Sequence, residues 1–237
     1  MRAKPPRPSW ERDDRGFTLI EMIVVIVLTS IIASAVAVFI KLPVQGYVDT
    51  ARRAEMTDIA DTALRRMGRD LRLALPNSVR LTDSDATIEI LLSKTGGRYR
   101  IESEATATAD ALNFSSTDTL FDQLGSLSVL TGQAITINSD SVVIYNLGPG
   151  NTNADAYAGN NRSLIIGTPA GALANEQRIQ INFRQFPLES PGNRFQVIEG
   201  PISYVCANGQ LTRYWGYPIQ AAQPNAATLP TLGGSSA

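Results

Sequence analysis

Histidine is absent from this chain of 237 residues. With it go the commonest general base, the Ser-His-Asp triad and every imidazole metal site. Cysteine occurs once, at Cys206, which excludes a thiolate metal cage. A net charge of −1 supplies no general basic field for nucleic acid. Gly148-Pro149-Gly150-Asn151 lacks the Lys and Ser/Thr of a phosphate loop and reads as a turn. With no acid pair or nucleophile motif either, the chain is read as a non-enzyme without a cofactor. Charge is also missing locally, from nineteen consecutive residues between Met22 and Ile40.

That last absence organises the N-terminal part of the chain. From Phe17 through Ile40, twenty-four residues carry a single charge, Glu21. At about 1.5 Å per residue they span roughly 36 Å as a helix, enough to cross a hydrocarbon core of about 30 Å. The β-branched content is high, but in lipid the backbone must satisfy itself and helix results. Residues 1–16 hold five basic and three acidic side chains, a bias that favours a cytoplasmic leader. An ordinary secretory signal, cut after Ala35 or Ala37, is the competing reading. It has no use for Glu21, and its apolar run would be shorter.

An acid in lipid costs about 2.5–3.5 kcal/mol on insertion scales, so Glu21 needs a reason. Cleavage between Gly16 and Phe17 would supply one. It creates an amino group at Phe17, which stands i to i+4 from Glu21 on one helical face. An ammonium and a carboxylate so placed can pair, within one chain or between neighbours, and offset each other's desolvation.

Arg15-Gly16-Phe17-Thr18-Leu19-Ile20-Glu21, with the apolar run behind it, resembles the cleavage and methylation site of type IV pilins and pseudopilins. The resemblance implies cleavage after Gly16 by a prepilin peptidase, N-methylation of Phe17 and an assembly role for Glu21. It also implies other pilin subunits and an inner-membrane assembly platform as partners.

Beyond the apolar run, Val44, Val48, Ala51, Ile59, Ala63, Met67 and Leu71 recur at helical spacing, with charge on the opposite face. Pro43 and Gly46 suggest a kink, and Pro76-Asn77 a stop, so one helix is expected from residue 17 to about 75. The stripe needs a partner. It is expected in a β-rich region whose short strands fall at 78–81, 87–92, 99–101, 111–114, 134–137, 142–146, 163–166, 178–183, 194–198, 202–206 and 211–215. Asn208-Gly209 marks a hairpin turn. Helix first and strands after, without a βαβ rhythm, argues for an α+β fold with antiparallel sheet. The expected organisation is a cytoplasmic leader at 1–16, a transmembrane helix at 17–41 and an amphipathic periplasmic helix at 42–76. A periplasmic β domain at 77–223 and a flexible tail at 224–237 follow.

Further runs extend the resemblance. Pro43-Val44-Gln45-Gly46-Tyr47, Asp61 to Met67, Arg69-Asp70-Leu71, Gly200-Pro201-Ile202-Ser203-Tyr204-Val205-Cys206 and Leu211 to Tyr217 are similar to MshO-type minor pilins of mannose-sensitive haemagglutinin systems. The large minor pseudopilins of type II secretion share this plan. The resemblance implies another short strand and a second cysteine beyond Ala237, so the chain is expected to be truncated. Cys206 would then belong to an intradomain disulfide. A free thiol and an intermolecular bridge stay open beside that reading.

Three other groups were weighed. Arg65, Arg66, Arg69 and Arg72 fit a solvated face at a helix C-terminus better than a DNA contact. Asp83, Asp85 and Glu89 do not have EF-hand spacing and read as a solvated turn rather than a calcium site. Tyr204, Tyr214, Trp215 and Tyr217 read as core or interface before a sugar platform. The functional expectation is a minor pilin or pseudopilin, with a membrane-anchored adhesin as the alternative of a different class.

Overall fold

A computed structural model describes residues 16–84, 86–102, 109–129, 134–171, 173 and 176–237. The leader, apart from Gly16, and Asp85 therefore lie outside the described residues. The chain forms two compact units, one ending at Ala63 and one running from Leu64 to Ala237. Its fold is α+β, with a long N-terminal helix and an antiparallel nine-stranded sheet.

Helix α1 runs from Leu19 to Arg72 and is assigned without interruption through Pro43. In the first unit its described large apolar side chains between Leu19 and Ile59 are exposed. The hydroxyls inside the apolar run find partners on the helix itself. Thr29 Oγ1 donates to the Val25 carbonyl at 2.7 Å, Ser30 Oγ to Ile26 at 2.7 Å and Ser34 Oγ to Ile31 at 2.8 Å. Without such bonds each hydroxyl would be costly in an apolar medium.

The helix stops three residues short of the expected end. Ser93 N–H donates to the Leu73 carbonyl at 2.7 Å, and Leu75 N–H to the Leu91 carbonyl at 2.8 Å. The chain leaves the helix because it gains strand-like partners, before Pro76 can break it. Of the expected stripe residues in the second unit, Met67 packs against its apolar cluster, whereas Leu71, one turn on, is exposed.

Nine strands follow: β1 Arg80–Thr82, β2 Thr87–Tyr99, β3 Asp118–Val129, β4 Ser141–Ile144, β5 Arg162–Gly167, β6 Gln177–Arg184, β7 Arg194–Ala207, β8 Gln210–Trp215 and β9 Ser235–Ser236. Their order is β1-β2-β3-β6-β5-β4-β7-β8-β9, and β2 also pairs with β7. That extra pairing closes β2-β3-β6-β5-β4-β7 into a six-stranded antiparallel barrel. Its core holds Tyr99, Phe121, Val142, Ile165, Ile181 and Phe195, all nearly inaccessible. The far halves of β2 and β7 continue outside the barrel and carry β1, β8 and β9 as an open sheet.

Two long strands thus replace four expected short ones. Gly96-Gly97, between the expected strands at 87–92 and 99–101, lies inside β2. A Cβ at Gly96 would sit 2.8 Å from the Phe195 carbonyl, and one at Gly97 3.0 Å from the Phe195 ring. Glycine is there because the paired β7 comes close at this point, not because the chain reverses. Residues 111–114 and 134–137 are not strands; Phe114 and Ile135 instead pack against the barrel core. The Asn208-Gly209 turn is as expected, with φ of 53° and 74° joining the Ala207↔Gln210 pair.

Residues 224–237 are also ordered, contrary to their loop-like composition. Ala226, Leu229 and Leu232 pack with Val205 and Tyr217, and Ser235 and Ser236 pair with Trp215 and Tyr214. Apolar burial and a short ladder hold a segment whose composition alone offers little.

Candidate processing and assembly site

Gly16, Phe17 and Thr18 form a non-helical segment directly before α1. The Thr18 carbonyl accepts the first helical bond, from Met22 N–H at 3.2 Å. Its Oγ1 accepts Glu21 N–H at 3.3 Å. Thr18 is therefore the N-cap and Glu21 the third helical residue, the spacing of a capping box. This Thr-x-x-Glu signal stands in the sequence, masked by the anomaly of Glu21 as an acid in an apolar run.

The cap decides what each neighbour can do. Gly16 and Phe17 are exposed, Phe17 at 78%. No atom lies within 4 Å of a Cβ placed on Gly16. The Gly16–Phe17 peptide bond thus lies outside the helix, between two exposed residues. Thr18 fixes where the helix begins, and Glu21 falls in its first turn. An acid there complements the positive end of the helix macrodipole by about 0.3–1 kcal/mol in water, and by more where screening is weaker. A new ammonium at Phe17 would add positive charge at that same end. Glu21 is the one acidic side chain of the first turn, and so the local compensation for both.

The other candidates are distributed differently. Glu89 is buried on β2, where its Oε2 accepts Arg80 Nε at 2.6 Å and its Oε1 accepts the Tyr217 hydroxyl at 2.9 Å. Burial pushes its carboxyl up, against the opposing pull of Arg80 and Tyr217. Asp83 instead accepts Thr87 Oγ1 and Ala226 N–H. Glu89 and Asp83 are committed to separate partners, and Asp85 lies outside the described residues.

Tyr204 and Tyr217 are buried, whereas Trp215 and Tyr214 are half-buried in two different apolar clusters. No shared aromatic platform results. The Tyr204 hydroxyl donates to Asp70 Oδ2 at 2.7 Å, and Arg213 Nε to the same oxygen at 2.9 Å. Burial and the Asp70 carboxylate push the Tyr204 hydroxyl up to about 12, so it keeps its proton as a donor. Asp70 thereby fastens the last turn of α1 to β7 and β8, a role the sequence pattern did not reveal. Arg69 and Arg72 lie in that turn, where cations complement the helix end. Cys206 is exposed on β7. Residues 148–151 form the expected turn, with Asn151 N–H donating to the Gly148 carbonyl at 3.3 Å.

Residues 12–37 match the family described as the prokaryotic N-terminal methylation motif. No curated protein and no solved structure matches the chain. The matched segment contains the open junction, the capped helix start and most of the apolar run. That run is long and apolar enough to cross a membrane once, and none of its most apolar stretch is buried. Processing by a prepilin peptidase is what such a motif implies. The chain therefore carries an N-terminal segment similar to the prokaryotic N-terminal methylation motif, running into the one helix among the described residues that is long and apolar enough to cross a membrane.

Proposed function

We propose that this protein is a minor pilin, or pseudopilin, that takes part in assembling or initiating a type IV pilus of the mannose-sensitive haemagglutinin kind. Its leader, residues 1–16, lies in the cytoplasm and its β domain in the periplasm of a bacterial envelope. The peptidase cuts after Gly16 and the amine of Phe17 is methylated. The mature helix then passes from the bilayer into a bundle of subunits. There Glu21 meets the Phe17 amine of a neighbour and fixes the axial register, because a register that leaves either charge alone is penalised. The protein is the substrate of this chemistry and not its catalyst.

One observation carries the reading: an exposed, non-helical Gly16–Phe17 junction lies immediately before a capped helix with Glu21 in its first turn. Fractionation tests it. Fibres are sheared from cells with and without the prepilin peptidase, and the fraction is probed for this chain. We expect the chain beside the major pilin in the first strain and its loss from the fraction in the second. A type II secretion pseudopilin would need the peptidase but stay with the envelope. Retention in the inner membrane of both strains would contradict the proposal and support a tethered binding module instead.

A further inference from the structure

The second unit contains an open cavity of about 550 Å³. Five of its walls are the apolar side chains Leu92, Leu164, Ile202, Trp215 and Ile219, and Arg162 lines it beside them. Its size falls within the range of small-molecule sites, which are mostly apolar with a few placed polar groups.

Arg162 is unusual in its surroundings. Continuing the Ile165↔Ile181 register places it opposite Arg184 on the neighbouring strand. Like charges in that relation are destabilising. Yet among the described residues neither guanidinium pairs with a carboxylate; the ion pairs of this unit use Arg80, Lys94, Arg100, Arg178 and Arg213. Asp118 stands opposite Arg184 on β3, but its carboxylate accepts the N–H groups of Asn113, Thr119 and Leu120. Arg162 Nε donates to the Ala156 carbonyl at 3.0 Å, and Arg184 to the Gly159 carbonyl. These bonds to neutral carbonyls hold the guanidiniums in place without cancelling their charge. Arg184 Nε is buried with no hydrogen-bond partner among the described residues. Burial and the nearby Arg184 charge both lower the Arg162 pKa, as expected of a cation short of a counter-charge. The other charged groups on the cavity change this little. Arg213 is committed to Asp70, and Glu199 is exposed to solvent.

We infer that this cavity binds an apolar molecule ending in a carboxylate, with Arg162 as the anchor for the anion and Trp215 as a wall for the apolar body. The head group would supply the counter-charge that the Arg162–Arg184 pair lacks. The apolar remainder would cover side chains that now face an open space. This inference does not depend on the fibre role.

The test uses the full chain in lipid nanodiscs, with empty nanodiscs as the baseline. Binding of 4-fluorophenylacetate and of 2-(4-fluorophenyl)ethanol is followed by fluorine NMR line broadening. We expect saturable binding of the acid, at least about tenfold tighter than the alcohol, since hydrogen bonds to charged groups are the stronger class. Arg162→Gln should bring the acid down to the level of the alcohol, and Trp215→Ala should weaken both. The wild-type comparison needs no variant, so misfolding cannot mask the result. Absence of saturable binding, equal binding of acid and alcohol, or an acid preference that survives Arg162→Gln would each overturn the inference.

Discussion

Glu21→Ala is expected to insert into the membrane at normal levels yet be depleted from assembled fibres by roughly two orders of magnitude. Insertion should be undisturbed, or improved, because the variant removes a carboxylate that costs about 2.5–3.5 kcal/mol in mid-membrane. Assembly should fail because the Phe17 ammonium of a neighbour would then have no partner away from water. Removing one member of a buried charge pair costs about 3–5 kcal/mol, and each 1.4 kcal/mol is a factor of ten. Glu21→Gln keeps shape and hydrogen bonding but not charge, and it should fail almost as badly. The Thr18 cap itself should persist, because its hydroxyl accepts a backbone N–H that neither variant removes. Quantitative immunoblots of membrane and sheared fibre fractions read both outcomes. Normal fibre levels of either variant would sink the pairing argument.

Asp140→Ala should destabilise the second unit by about 3–5 kcal/mol, a large part of the 5–15 kcal/mol that a domain usually has. Lys94 Nζ lies 2.9 and 3.1 Å from the two Asp140 oxygens, and the pair is almost wholly inaccessible, at 3% and 0%. Asp140 also accepts the Thr136 N–H at 2.7 Å. Lys94 is on β2 and Asp140 immediately precedes β4, the two strands that flank β7 in the barrel. The variant leaves an ammonium stranded where water cannot reach it. The double variant Lys94→Met with Asp140→Leu should recover much of the loss, because two matched apolar groups leave no orphan charge. Denaturant unfolding of the single and double variants measures the difference. If the double variant were no more stable than Asp140→Ala, the loss would come from packing at this site rather than from the stranded charge.

The helix and the barrel differ in how openly the sequence announces them. The span from Phe17 to Ile40 is legible because lipid removes the alternatives: an uncharged run of that length must close its own hydrogen bonds. Glu21 is legible for the same reason, since an acid there is anomalous. The barrel is hidden because closure depends on pairing between β2 and β7, whose partners are about a hundred residues apart in sequence. Gly96-Gly97 imitates a turn although it marks a close approach of paired strands. Strand β3 is hidden because Asp118, Asp122, Gly125 and Ser126 give it a loop-like composition. Buried charge misleads in the same way. Lys94, Asp140 and Asp70 look like surface residues until their partners, far away in sequence, are brought to them. Arg162 is the reverse case, a cation whose lack of a counter-charge among the described residues becomes visible only when the strands are in register.

The most direct measurement is the mass of the native protein's N-terminus, recovered from cell membranes. The account predicts a chain that begins at Phe17 and carries one methyl group on its amine. A working protein that retains residues 1–16, or that begins within the 35–38 stretch as a secretory signal would leave it, would contradict it.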